Sequence, residues 1–115
     1  MQIVYPNEII IDGTLISFKT VLGSFRNRKD IISVIAPFAK STDQNATFCY
    51  TNVQTVYAPR LIALKQGDFS SSKLTTLQVE SVTTLSNNVF HYTASVTEIQ
   101  TKSTAFDTAQ CDSQY

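Results

Sequence analysis

The stretch from Leu74 to Thr101 is the most strongly patterned part of the sequence, and it constrains the fold more than any other. Threonine and valine crowd its first half, and such β-branched side chains favour a pleated strand over a helix. The pattern predicts one long β-hairpin with Asn87 and Asn88 in its turn, because asparagine tolerates positive φ angles. That register places Leu85 opposite Phe90. A helix is the alternative, but polar residues would interrupt its apolar stripe.

A second hairpin is predicted at Asp12-Gly13, between two short runs of apolar residues. Asp-Gly in this setting is among the strongest hairpin signals. The register forms two apolar pairs on opposite faces, so each face needs cover from the rest of the domain or from another subunit. If another subunit provides the cover, the contact residues are Ile9, Ile10, Leu15 and Ile16. In this register Ile9 pairs with Ile16, and Ile10 pairs with Leu15.

The remaining sequence predicts further strands, including Ile31–Ala36 and Thr47–Tyr57, separated by turns. About seven strands result, with no strong helix and no visible internal repeat. This pattern is typical of an all-β, single-domain antiparallel β-sandwich, or of an open barrel, spanning residues 1–115. The tail, residues 102–115, carries weak signals and is expected to be loose.

The composition indicates a surface that is polar but weakly charged. Charged residues make up 16% of the chain, and threonine, serine, glutamine and asparagine supply most of its polarity. Such surfaces are common in extracellular proteins and in virion or pilus components. There is no apolar run of about 18 residues and no signal-peptide pattern, so we expect no membrane association. A virion protein made in the host cytoplasm would combine an extracellular type of surface with the absence of a signal peptide.

The charges are divided unevenly although the formal net charge is zero. Five basic residues and one acid lie between Lys19 and Lys40, whereas the rest of the chain has four basic residues and eight acids. The basic turn contains Arg26, Arg28 and Lys29. It could be a solvated loop, a nucleic-acid contact, or a positive patch that meets a negative patch on a neighbouring copy. The zero net charge and the pI near 6.5 weigh against nucleic acid.

The residue types that carry catalysis are sparse. His91 is the single histidine, and no carboxylate is placed by sequence to orient it. No metal-ligand spacing, phosphate loop or nucleophile motif occurs. Cys49 and Cys111 lack a CxxC pattern, and the pair is open to two interpretations, free thiols or a disulfide. We therefore predict no catalytic residues, no metal, no cofactor and no enzymatic activity.

Together these features predict a non-enzymatic structural protein that assembles as a homo-oligomer or with other virion proteins. A bacteriophage or viral decoration, tail or head-completion protein fits the length. The alternative is a small binding module or inhibitor, which could bind single-stranded nucleic acid through the basic turn at residues 26–29.

Overall fold

A computed structural model of the chain describes residues 7–86, 88–93 and 95–102. Within these ranges all regular structure is β-strand, and there is no helix. The ten strands are short: β1 (Glu8–Ile11), β2 (Thr14–Ser17), β3 (Val21–Leu22), β4 (Ser33–Ile35), β5 (Ser41–Thr42), β6 (Thr55–Tyr57), β7 (Ala63–Leu64), β8 (Thr76–Gln78), β9 (Thr84–Leu85) and β10 (Glu98–Gln100).

Six of the strands form one sheet, in the order β1-β2-β4-β6-β8-β10. Only β1 and β2 pair antiparallel, and each later strand pairs parallel with the strand before it in this order. Two small parallel sheets, β3-β5 and β7-β9, lie elsewhere on the chain's path. The intervening chain supplies the crossover that every parallel pair requires.

This strand order defines a β-solenoid. The parallel strands of the large sheet begin at residues 14, 33, 55, 76 and 98, so that one coil takes 19 to 22 residues. Each coil hydrogen-bonds to the next, and equivalent residues of successive coils lie side by side. Stacking of such units builds a continuous core that no single coil could bury alone.

The inner face of the large sheet shows how the stacking creates that core. One apolar residue from each strand occupies the same register position, and the row comprises Leu15, Val34, Val56, Leu77 and Ile99. The first four are buried, and Ile99 packs against the same cluster. Branched aliphatic side chains suit this position because they pack tightly on a pleated parallel sheet.

A column of phenylalanines fills the other side of the interior. Phe25, Phe48, Phe69 and Phe90 are all buried. Their ring centroids lie 5.6, 5.5 and 6.2 Å apart in sequence order, and successive rings are within 11° of parallel. Aromatic rings at such separations attract one another beyond the free energy of burial.

Each of these phenylalanines begins a turn of the same conformation. The residue two positions later has a positive φ angle in all four coils: Asn27, Tyr50, Ser71 and Tyr92, between 54° and 66°. In three coils the N–H of the next residue donates to the phenylalanine carbonyl. The left-handed position reverses the chain while the phenylalanine ring stays inside.

Buried hydroxyl groups hold these turns together. The Thr51 hydroxyl donates to the Phe48 carbonyl at 2.7 Å. The Thr93 hydroxyl donates to the Phe69 carbonyl of the preceding coil at 2.6 Å and accepts from the Ser72 N–H at 3.2 Å. Buried backbone groups that no strand pairs are satisfied in this way.

The Asp12-Gly13 hairpin is confirmed in the predicted register. Ile9 pairs with Ile16, and Ile10 pairs with Leu15. The turn residues have φ angles of 49° and 82°, which match a turn with two left-handed central residues. A side chain at Gly13 would also approach Ile32 to 3.1 Å.

The predicted long hairpin at residues 74–101 is wrong. Its first arm divides into β8 and β9, and β8 pairs parallel with β10 in the register Leu77 to Ile99. Leu85 does not face Phe90, because β9 pairs with β7 through Leu64. Asn88 does have a positive φ of 60°, but within a turn of the solenoid, and Asn87 lies outside the described residues.

The sandwich or barrel and the absence of a repeat are also corrected, although the all-β class is confirmed. Alternation of side chains fixes the face of a strand but not its partner, so hairpin and solenoid share the same local pattern. The predicted strand Thr47–Tyr57 contains one turn and only the short β6. Apart from the phenylalanine column, most equivalent positions share residue type rather than identity and the coil length varies, so the repeat is weak in the sequence.

We predict that Phe69→Ala destabilises the protein by about 3 to 5 kcal/mol, because Phe69 is buried between two other rings. Phe18→Ala is the matched control: Phe18 is 52% exposed, and its loss should cost about 1 kcal/mol or less. Urea denaturation of both variants measures the difference. Equal losses would show that the column does not stabilise the fold.

The left-handed turn gives a second prediction. Ser71→Gly should stabilise the protein by about 0.5 to 1 kcal/mol, because glycine relieves the strain of a positive φ of 54°. Ser70→Gly, one residue earlier and without positive φ, should destabilise by a similar amount. Thermal melts that rank these variants in the opposite order would contradict the assigned turn.

Candidate functional site

The four predicted subunit-contact residues divide between the two faces of the large sheet. Leu15 is fully buried, and Ile10 packs against the core. Ile9 is 42% exposed and lies on the outer face beside the half-buried Ile16. Contact with another subunit stays a prediction, and the structure leaves Ile9 and Ile16 as the pair with access to one.

The outer face continues this apolar pair into the next two coils. One register row contains Ile9, Ile16, Ile35, Tyr57, Gln78 and Gln100, and we refer to it as the outer row. Ile35 and Tyr57 are 41% and 43% exposed. The row is therefore apolar over β1, β2, β4 and β6 and becomes amide-bearing over β8 and β10.

A smaller exposed cluster follows the ends of these strands. The rings of Phe18 and Phe38 lie 6.1 Å apart, and the guanidinium of Arg60 lies 5.3 Å from the Phe38 centroid. Phe18 and Phe38 are each more than two-fifths exposed. Since each follows a strand of the outer row, exposed apolar surface extends around this corner of the solenoid.

The predicted basic residues lie on the turn that follows Phe25. All three are exposed, but Arg28 forms two hydrogen bonds to Asp30, at 2.9 and 2.7 Å. These bonds hold the pKa of the Asp30 carboxyl below its ordinary value. The negative charge of Asp30 balances the positive charge of Arg28. Arg26 and Lys29 make no ion pair with any described residue.

The turns after the four phenylalanines stack into one surface, which we call the turn flank (residues 26–29, 49–52, 70–73 and 91–93). Backbone bonds join its coils: the N–H of Asn27 donates to the Cys49 carbonyl, that of Tyr50 to Ser70, and that of Ser71 to His91. Tyr50 is 48% exposed and Tyr92 is 76% exposed. The sequence pattern did not predict this grouping, although the near-regular recurrence of phenylalanine is a signal for it.

Two further candidates for chemistry, Cys49 and His91, lie within the turn flank. Cys49 is buried, and Cys111 lies outside the described residues, so the choice between free thiols and a disulfide is still open. The His91 ring is half-buried and lies 3.9 Å from the Tyr92 ring centroid. In the described part of the chain, no cluster of three histidine, cysteine, aspartate or glutamate residues could hold a metal.

Asp68 is the one buried acid among the described residues, and it links two adjacent coils through hydrogen bonds. Its two carboxylate oxygens accept from the N–H groups of Thr47 at 3.1 Å and of Lys65 at 2.7 Å. The side chain thereby links two adjacent coils where no strand pairing occurs. Burial raises the pKa of the Asp68 carboxyl, and these two hydrogen bonds only partly oppose that effect.

The raised pKa of Asp68 gives a pH prediction. The folded state holds this proton more tightly than the unfolded state, so the stabilisation from Asp68 is greatest below its ordinary pKa and falls as pH rises through the raised value. Asp68→Asn removes the titration and should cost about 1 to 3 kcal/mol at low pH. Urea denaturation from pH 3 upward measures the effect: the difference in midpoint between wild type and Asp68→Asn should become smaller as pH rises. A difference that grows with pH would contradict the raised pKa of Asp68.

Comparison with protein-family models, curated proteins and solved structures found no match for this chain. Among the described residues there is no helix that could cross a membrane.

Proposed function

We propose that this chain is a non-enzymatic structural protein that assembles through the outer face of its large sheet, as a homo-oligomer or with other virion proteins. The observation that carries the proposal is the exposed apolar part of the outer row, from Ile9 to Tyr57. A contiguous exposed apolar patch is typical of an interaction site.

The shape of the outer row supports contact between sheet faces. Parallel strands hold Ile16, Ile35 and Tyr57 at equal steps in a single register row. A second sheet could approach to about 10 Å and interdigitate its side chains with this row. The polar end of the row, at Gln78 and Gln100, would then limit the contact to the first coils.

We further propose that the chain is a component of a bacteriophage or viral particle and lies in the host cytoplasm during assembly. Its support is compositional: charged residues are few, and neutral polar side chains supply the surface. A repeating architecture suits such a role because a solenoid presents an extended surface on a rigid frame.

Native mass spectrometry and sedimentation velocity test the assembly. We expect oligomers in the wild type and a shift to monomer in Ile35→Lys, because an exposed lysine on the row cannot be buried at low cost. Val21→Lys is the control: Val21 is 46% exposed but lies in β3, away from the outer row. A strictly monomeric wild type at high concentration, with no co-purifying partner, would contradict the proposal.

A further inference from the structure

We propose that the turn flank binds single-stranded nucleic acid, at a site separate from the outer row. The flank carries four basic residues, Arg26, Arg28, Lys29 and Lys73, and the adjoining acid, Asp30, pairs with Arg28 alone. The flank also carries two exposed tyrosines. Proteins that bind single strands without sequence preference combine cations for the phosphates with aromatic rings for the bases.

The stacking of coils brings these two residue types into alternation. Lys29 and Lys73 each stand four positions after a phenylalanine, in the first and third coils. Tyr50 and Tyr92 each stand two positions after a phenylalanine, in the second and fourth coils. Lysine and tyrosine therefore alternate coil by coil along one flank, an order that the linear sequence conceals.

The spacing of the tyrosines leaves room for bases. Adjacent coils of a parallel sheet lie about 4.8 Å apart, which separates Tyr50 from Tyr92 by roughly 9 to 10 Å. The residue between them is the small Ser71, whose N–H bonds to the neighbouring coil. This spacing gives room for a base between the two tyrosines, and the His91 ring packs against Tyr92 with its centroid 3.9 Å away.

The charge on the flank favours an anionic ligand over a neutral one. Arg26, Lys29 and Lys73 are exposed and lack ion-pair partners in the described ranges, whereas Arg28 is occupied by Asp30. A neutral polysaccharide could stack on the tyrosines but would gain nothing from the three cations. A zero net charge for the whole chain does not remove this local field.

Fluorescence anisotropy with a labelled oligothymidylate and the full chain tests the proposal. Affinity should fall as salt rises, since bound cations displace counterions from the strand. Tyr92→Ala and Tyr50→Ala should each weaken binding by about five-fold or more. The double variant Lys29→Gln/Lys73→Gln should lower the slope of log affinity against log salt by about 1.4.

Matched controls separate this site from the assembly surface. Tyr57→Ala removes a tyrosine of the outer row whose exposure, 43%, is close to the 48% of Tyr50, and Lys40→Gln removes an exposed lysine from outside the flank. Neither should change the affinity, and Ile35→Lys should bind as the wild type does. Melting temperatures verify that each variant is folded.

Three results would overturn the proposal. The first is the absence of binding at low salt, and the second is an affinity that neither salt nor the tyrosine variants change. The third is binding of hydroxyethylcellulose that requires both tyrosines but neither lysine, which would assign the flank to a neutral polysaccharide.

Discussion

The stacking of each coil on the next is the interaction on which the rest of this structure depends. Parallel hydrogen bonding places equivalent residues side by side, and the column from Phe25 to Phe90 fills the space that the coils enclose. No coil could bury its own inner residues, so stability arises between coils rather than within them. The same register aligns the outward-facing side chains of successive coils, so residues that are far apart in the sequence form rows on the surface.

Polar side chains join adjacent coils by hydrogen bonds where the strands of those coils do not pair. Between β5 and β7 no strand pairing joins the coils, and the Lys65 ammonium donates there to the Thr42 carbonyl at 2.6 Å. Asp68 joins the same region by accepting from Thr47 and Lys65. A buried carboxylate is costly, but unpaired backbone N–H groups would also be costly, and the hydrogen bonds offset part of both penalties.

The two proposed surfaces differ because they lie on different parts of each coil. The outer row is a strand surface, where Ile35 and Tyr57 stand in register on the large sheet. The turn flank is a surface of reversals, where left-handed residues such as Tyr50 and Tyr92 project into solvent. An exposed apolar sheet face suits contact with another protein, whereas separated aromatic and basic groups suit a flexible nucleic-acid strand.

The sequence by itself determined the β class and the Asp12-Gly13 hairpin, because side-chain alternation and turn propensity act over a few residues. It placed Ile9 and Ile16 on one face, and it identified the basic residues Arg26 and Lys29. Only the tertiary structure decided that Leu77 pairs with Ile99 rather than within a hairpin. The choice of partner depends on contacts one coil away, and the same long-range stacking brings Tyr50, Lys73 and Tyr92 together, so local pattern could not reveal either.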